Sequence, residues 1–152
     1  MKIYLATDHA GFELKENVKA FLNKEGYDVE DCGALEFNKD DDYPDFISKA
    51  AEKVSADPEN SRGIIFGKSG QGEAMVANKF RGVRAVVFYG GNPEIIELSR
   101  DHNNANVLSI GAGFVSETEA EVLIRSWLTR AFSNEERHTR RINKIKGIEE
   151  KW

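Results

Sequence analysis

The sequence predicts an α/β fold in which helices cover both faces of a five-stranded parallel sheet. Across the 152 residues, five short apolar segments alternate with longer segments in which apolar side chains recur at helical spacing. Alternation of this kind is typical of parallel sheets, whose strands are buried on both faces. The composition, 40% hydrophobic and 31% charged, fits one compact domain with a single core, residues 1–152.

The first half of the chain supplies two strands and two helices. Residues 3–6 form the first strand, and the helix behind it stops at Gly26. Residues 27–32 form the second strand. An acidic loop at residues 36–42 then leads to Pro44, which opens a helix running to about residue 55.

The second half repeats the alternation three more times. Strands are predicted at residues 63–66, 83–88 and 106–110. Helices are predicted at about 73–78 and 93–102, and a third follows a capping box formed by Ser116 and Glu119. A last, basic helix at about 134–146 is one element more than the core needs, so we expect it to pack on a partner subunit.

Charge is unevenly distributed along the chain. The net charge of −5 argues against a general nucleic-acid binder, which would normally be basic. Residues 28–59 hold eleven acids and three bases, a net charge of −8, whereas residues 130–152 hold seven bases and four acids, a net charge of +3. Small anionic ligands therefore remain possible, because local charge can differ from the total.

The sequence contains no sign of a membrane segment, a secretion signal or a metal site. No apolar run approaches the roughly eighteen residues that cross a bilayer, and the N-terminus lacks signal-peptide features. Cys32 is the only cysteine, so no internal disulfide can form. One cysteine with three histidines also argues against a dedicated zinc site. We expect a cytoplasmic, metal-free protein.

The densest functional signal is the stretch Gly67-Lys68-Ser69-Gly70-Gln71-Gly72-Glu73, directly after a predicted buried strand. Glycines let the backbone approach a ligand closely, and successive amides at the start of a helix can hold an anion. The stretch is neither a Walker A loop, whose first glycine would fall on Arg62, nor a dinucleotide fingerprint. The plain alternative is a tight strand–helix turn in which Glu73 is an ordinary first-turn acid.

Other polar residues also fall at places where ligands can bind, since open α/β sheets bind ligands at the carboxyl ends of their strands. Asp8 and His9 follow the first strand, although Asp8 could simply cap the next helix. The Asn-rich residues 102–106 precede the fifth strand and could be only a turn. Arg137 and Arg141 share a helix face, which is either solvated or able to converge on a phosphate.

Taken together, these segments resemble the ribose-5-phosphate isomerase B family, which also includes galactose-6-phosphate isomerase subunits. The resemblance is carried, in order along the chain, by Asp8-His9-Ala10-Gly11-Phe12, Asp42-Tyr43-Pro44, Gly67 to Glu73, Ala77-Asn78-Lys79, Gly82-Val83-Arg84-Ala85, His102 to Val107 and Arg137-His138. It implies a Rossmann-like three-layer α/β/α fold and a homodimer or dimer of dimers with shared active sites. It also implies aldose–ketose isomerisation of a sugar phosphate without a metal or other cofactor.

The resemblance further implies which residues perform catalysis. Many members carry a catalytic cysteine directly after the third strand, where this chain has Gly67. A second branch instead ends the glycine loop with a glutamate, and the chain matches that branch, so Glu73 would be the base that moves a proton through a cis-enediolate. Burial would raise the pKa of Glu73 and the helix N-terminus would lower it. The loop amides, with Gly70 and Gly72, and the hydroxyl of Ser69 would stabilise the enediolate oxygen.

Similarity to the family also assigns the remaining site residues. His102 would assist opening of the sugar ring, and Asp8 would handle hydroxyl protons. Asn103 and Tyr43 would contact sugar hydroxyls or close the site. The phosphate would be held by His9, Arg137 and Arg141, the two arginines coming from the partner subunit. We expect the acidic segment 28–59 to lie away from these phosphate-binding groups.

One departure from the family pattern leaves the identity of the sugar phosphate undecided. Members frequently have a phosphate-binding arginine two residues after the glycine that ends the fifth strand, but this chain has Gly113 there. Either this phosphate contact is missing, or it is supplied from elsewhere, with Lys68 and Arg140 as the candidates. Ribose 5-phosphate is the first hypothesis, and a hexose 6-phosphate of the galactose or allose type is the close alternative. A non-catalytic nucleotide or sugar-phosphate binding module is the alternative of a different class.

Overall fold

A computed structural model describes residues 1–151, and Trp152 lies outside the described residues. It contains a five-stranded sheet whose strands all run parallel, in the order β2-β1-β3-β5-β4. The strands are β1 (Lys2–Thr7), β2 (Asp28–Asp31), β3 (Ser61–Gly67), β4 (Ala85–Phe88) and β5 (Val107–Gly111). The predicted fold class, a three-layer α/β fold with a five-stranded parallel sheet, is confirmed.

Six helices connect and flank the strands. They are α1 (Phe12–Lys24), α2 (Pro44–Ala56), α3 (Gln71–Ala77), α4 (Glu94–Asn103), α5 (Glu117–Thr129) and α6 (Glu136–Glu149), and one 3₁₀ turn at His9–Gly11 precedes α1. Ser116 caps α5 as predicted, its side chain accepting a hydrogen bond from the Glu119 backbone N–H at 3.3 Å. Within residues 1–151, every helix is too short or too polar to cross a bilayer.

Several element boundaries differ from the prediction for local reasons. The helix α3 begins at Gln71 rather than at residue 73, because Gly70 adopts a left-handed conformation (φ 77°) immediately before it. The strand β4 begins at Ala85 rather than at residue 83, because the Asn106 side chain binds the Arg84 backbone N–H. Helix α6 starts at Glu136 rather than at residue 134, since Asn134 is also left-handed (φ 55°).

The sheet is buried on both faces, which explains why its strands are continuous apolar runs. Along β1, Ile3 and Leu5 contribute to the cluster that contains α1 and α5, and Ala6 contributes to the cluster that contains α2. This follows from the two-residue side-chain period of a strand. Trp127 of α5 is completely buried in the first cluster, and its indole N–H donates to Ser99 Oγ at 3.2 Å.

A buried lysine anchors the segment that follows β2. Lys15 is fully buried, and its Nζ donates to both carboxylate oxygens of Asp31, at 2.8 and 2.6 Å, and to the Ala34 carbonyl at 2.6 Å. The Ala34 N–H donates in turn to the Thr7 carbonyl at 2.8 Å. The loop over residues 35–43 therefore starts from a fixed point beside the end of β1.

We call the edge at which the strands end the carboxyl edge, and the opposite one the amino edge. Helix α6 lies on its own chain at the amino edge. Its buried residues are His138 and Ile142, and its Glu149 carboxylate accepts a hydrogen bond from the Gly82 N–H, just before β4, at 3.1 Å. Most other side chains of α6 are exposed.

Candidate active site

Glu73 lies in the first turn of α3, with its side chain buried against the end of β3. A Cβ atom on Gly67 would stand 1.8 Å from Glu73 Oε1, so the carboxylate fills the space that a side chain at residue 67 would need. Burial raises the pKa of Glu73, and the nearby Asp8 charge adds to this, whereas a hydrogen bond from its own backbone N–H opposes it. Burial therefore prevails over the backbone contribution, and the pKa moves in the direction that suits a general base.

The glycine loop between β3 and α3 is held against the extension of β5. The Gly113 N–H donates to the Lys68 carbonyl at 2.9 Å, and Ser109 Oγ donates to the Gly70 carbonyl at 2.7 Å. The left-handed φ of 77° at Gly70 is one that other residues rarely adopt. Ser69 is half-buried in this loop. Fixed loop amides of this kind can stabilise a negatively charged oxygen.

Asp8 and Tyr43 border the same loop. Asp8 is buried, and its Oδ1 accepts a hydrogen bond from the Ala10 N–H at 2.9 Å. Asp8 therefore caps the 3₁₀ turn, which is the structural role that the sequence offered for it. A Cβ atom on Gly72 would lie 2.7 Å from both Cζ and Oη of Tyr43, so the tyrosine ring packs directly on the loop. The carboxyl edge thus brings together Asp8, Tyr43, Gly67, Ser69, Gly70, Gly72 and Glu73.

His9 contacts the acidic segment, contrary to expectation. Its Nδ1 and its backbone N–H both bind Asp41 Oδ1, at 2.7 and 2.9 Å. The hydrogen bond to Asp41 raises the pKa of His9, and the Asp8 charge adds to it. The expectation that residues 28–59 lie away from His9 is wrong, because the loop over residues 35–43 folds back onto the end of β1.

Asp8, His9 and Asp41 are also the group of side chains that could hold a metal ion within residues 1–151, with one ligand atom from each lying within 4.8 Å of the others. The imidazole Nδ1 and one carboxylate oxygen of this group are already hydrogen-bonded to each other. That hydrogen bond accounts for the short distance between the His9 and Asp41 side chains.

His102 and Asn103 lie at the amino edge of their own chain. Helix α4 starts after the end of β4 and returns to the start of β5, so its last residues are at the edge opposite the glycine loop. A five-residue strand separates the two edges by about 16 Å. The His102 ring stacks on that of His138, with 4.2 Å between centroids and 11° between planes.

The two arginines are at the amino edge as well. Arg137 and Arg141 are exposed on α6, and Arg137 Nε donates to Glu135 Oε2 at 2.8 Å. Burial lowers the pKa of His138, and the neighbouring His102 and Arg137 lower it further. One chain therefore does not bring His102, Asn103, Arg137 or Arg141 to its own glycine loop.

Lys68 lies beside Gly113, the position at which the family resemblance leads us to expect an arginine. A Cβ atom on Gly113 would lie 3.2 Å from Lys68 Cγ and 3.0 Å from its carbonyl oxygen. Arg140 is instead exposed on α6. Of the two candidates for the missing cation, Lys68 is thus the one beside residue 113.

Asn78 and Asn106, which belong to the segments that carry the family resemblance, have structural roles. Asn78 Oδ1 accepts a hydrogen bond from the Ala85 N–H at 2.8 Å, and Asn106 Nδ2 donates to the Gly82 carbonyl at 2.8 Å. These amides tie the amino edge together.

Sequence reasoning gave no role to two residues that shape the site. Ser109 holds the glycine loop, and the signal for it is a hydroxyl in an otherwise apolar strand. Asp41 is one of three consecutive aspartates, and no sequence signal distinguishes it from its neighbours.

Comparison with known proteins agrees with this architecture. The family described as Ribose/Galactose Isomerase matches residues 3–145. The ribose-5-phosphate isomerase B of Mycolicibacterium paratuberculosis is 42% identical over 94% of this chain and 88% of that protein. The Escherichia coli protein of the same name is 37% identical over 99% of this chain and 97% of that protein.

Solved structures give the same result. Ribose-5-phosphate isomerase B from Mycoplasma genitalium with bound ribulose-5-phosphate superposes with a TM-score of 0.94 at 35% identity, covering 99% of this chain and 97% of that one. The Clostridium thermocellum enzyme gives 0.91 at 40% identity, with 99% of each chain covered. The glycine loop, the fold and these similarities lead to one conclusion: the chain belongs to the ribose/galactose isomerase family.

Proposed function

We propose that this chain, an aldose–ketose isomerase by family, interconverts ribose 5-phosphate and ribulose 5-phosphate with Glu73 as the base. The observation that carries the proposal is the buried Glu73 carboxylate, packed against Gly67 beside the glycine loop. Relatives named ribose-5-phosphate isomerase B, one of them solved with ribulose-5-phosphate, support the choice of a pentose phosphate.

The chemistry follows from the position of this base. Glu73 removes the proton from C2 of the open-chain aldose and returns it to C1. The Glu73 carboxyl is therefore protonated and neutral only while the cis-enediolate exists. Asp8 transfers protons between the hydroxyls. The loop amides and the Ser69 hydroxyl stabilise the enediolate oxygen, an effect typically worth about 3 kcal/mol for each donor. Because Glu73 must start as a carboxylate, activity is expected to rise with pH through its raised pKa.

The complete site is proposed to form between two copies of the chain, in a homodimer or a dimer of dimers. One copy supplies the carboxyl edge, with Glu73, Asp8 and Tyr43. The other supplies the amino edge, with its ring-opening His102, its Asn103 and the phosphate-binding arginines of α6. The separation of about one strand length between the two edges of a single chain supports this arrangement.

The phosphate is proposed to be bound by His9, Arg137 and Arg141. Lys68 is proposed as a further cation, because its side chain lies beside Gly113. The absence of the arginine at this position keeps a hexose 6-phosphate as a second candidate substrate. Comparing kcat/KM for ribose 5-phosphate, allose 6-phosphate and galactose 6-phosphate tests the choice, and a higher value for either hexose would overturn it.

A direct test of the base is proton exchange. In deuterated water the wild-type protein should incorporate deuterium at C2 of ribose 5-phosphate, detected by NMR, and Glu73→Gln should abolish this. Full exchange in the variant would exclude Glu73 as the base. A thermal shift with ATP but none with sugar phosphates would favour a non-catalytic binding module instead.

The remaining expectations concern the context of the reaction. The chemistry needs no metal or other cofactor, since one carboxylate can move the proton. We expect residues 1–152 to act as one domain in the cytoplasm, without nucleic-acid or membrane partners. The single cysteine, which is free, is consistent with a reducing compartment.

A further inference from the structure

The loop over residues 35–43 carries three consecutive aspartates, of which one is turned into the protein. The side chain of Asp41 is 8% exposed, whereas that of Asp40 is 75% exposed. Asp41 Oδ1 accepts two hydrogen bonds from the same residue, one from the His9 backbone N–H at 2.9 Å and one from the His9 ring at 2.7 Å. This contact joins residues that are 32 positions apart.

The contact determines both the orientation of the imidazole and which nitrogen remains available. With Nδ1 bound to Asp41, the free donor of the ring is Nε2. Phe37, from the same loop, packs edge-on against the ring with 6.4 Å between centroids. The imidazole is therefore held on two sides by one loop, while 36% of its side chain stays exposed.

The surroundings of Asp41 favour a charged partner. Its second oxygen, Oδ2, is buried without a hydrogen-bond partner among the described residues. A buried carboxylate that lacks other compensation is stabilised mainly by a neighbouring cation. The charged groups that face His9 are Asp41 and Asp8, both acids, and together they raise the pKa of His9.

We propose that Asp41 is a positioning residue that holds His9 as an imidazolium with its Nε2–H free to donate to the substrate phosphate. The proposal rests on the proposed function, in which His9 binds that phosphate. Asp41 itself does not contact the substrate. A phosphate monoester carries nearly two negative charges at neutral pH, so an imidazolium binds it more strongly than a neutral imidazole.

The protonation of His9 can be measured without any substrate. The chain has three histidines, so the ring signals in an NMR titration can be assigned with single His→Gln variants. Asp41→Asn removes the charge but keeps the shape, and it should lower the pKa of His9. Asp40→Asn, the same change on an exposed neighbour, should leave it unchanged. An unaltered His9 titration in Asp41→Asn would overturn the proposal.

Kinetics then test the consequence for binding. For Asp41→Asn, KM for ribose 5-phosphate should rise about tenfold at pH 8, as loss of one charge-assisted contact implies, with kcat within about twofold. The rise should be smaller at pH 6, where even an unassisted imidazole is largely protonated. An equal rise at both pH values, or the same rise in Asp40→Asn, would indicate a merely structural role.

A double-mutant cycle separates Asp41 from the rest of the loop. In a His9→Gln background, Asp41→Asn should change KM no further, because the group through which it acts is gone. A full additional rise in KM would overturn the proposal. Failure of the proposed function would look different, since the wild-type protein itself would then not isomerise ribose 5-phosphate.

Discussion

The carboxylate of Glu73 lies in the space next to Gly67, with only 1.8 Å between Oε1 and the place where a Cβ atom on residue 67 would stand. A side chain at residue 67 and a glutamate carboxylate in this position therefore exclude each other. This contact gives a physical reason why the chain combines glycine at residue 67 with glutamate at residue 73.

Gly67→Ala should displace the Glu73 carboxylate. Gly67 ends β3 with a backbone conformation that alanine can adopt, so the effect comes only from the steric clash between the new Cβ and the Glu73 carboxylate. We expect kcat to fall by at least about tenfold and the free energy of unfolding to fall by about 1–3 kcal/mol. Gly147→Ala, in α6 with nothing within 4 Å of its Cβ, is the control and should be neutral or stabilising. Wild-type kcat in Gly67→Ala would contradict the assignment of Glu73.

Glu73→Gln should abolish isomerisation and stabilise the fold. A raised pKa means that the folded protein holds the Glu73 proton more tightly than the unfolded chain does. That stability is present below the ordinary pKa of glutamate and is lost as pH rises through the raised value. At pH 8 the variant should therefore be more stable than the wild type and have a higher Tm. The gain should disappear near pH 4, and a lower Tm at pH 8 would contradict the burial argument.

Cys32 should be inert to alkylation. Burial raises the pKa of its thiol to about 11, and the Glu30 and Asp31 charges add to this. Only about one thiol in a thousand is then ionised at pH 8, and the thiolate is the reactive form. Iodoacetamide at pH 8 should leave the activity intact, while protein unfolded in guanidinium should react at its one cysteine. Rapid inactivation of the folded protein would contradict the low reactivity expected of this thiol.

Two inactive variants should restore activity when they share a dimer. Glu73→Gln damages the carboxyl edge and His102→Asn damages the amino edge, so a mixed dimer contains one intact site and one doubly altered site. After unfolding and refolding together in equal amounts, the mixture should recover about a quarter of the wild-type activity. Glu73→Gln mixed with Ser69→Ala should recover none beyond the residual activity of the Ser69→Ala sites, because both changes lie on the same edge. No recovery in the first mixture would refute the shared site.

The fold and the glycine loop were accessible from the sequence because their signals are local. Apolar periodicity locates the five strands, and the three closely spaced glycines from Gly67 to Gly72 locate the loop between β3 and α3. The direction of the Glu73 pKa shift was not accessible, since it depends on how deeply the side chain is buried. Asp41 could not be found for a related reason: a loop has no periodicity, so nothing distinguishes the one inward-facing aspartate among three.

The position of His102 illustrates a second limit. The sequence places it before β5, and the parallel topology then puts it at the amino edge. Which groups meet it there is a property of the folded chain, as its stacking on His138 shows. In the proposed shared site, the glycine loop that His102 serves belongs to a second copy of the chain, a relationship that the sequence pattern of one chain does not contain.

The buried Lys15 has a consequence for how the loop over residues 35–43 would move. Lys15 secures the start of the loop at Ala34, and α2 secures its end at Pro44. Between these two anchors, the loop carries both Asp41, against His9, and Tyr43, against Gly72. Because only Asp42 separates these two residues, a movement that lifts one contact would be expected to displace the other. The support that this loop gives to His9 and the contact that Tyr43 makes with the glycine loop would thus be lost together, in one event.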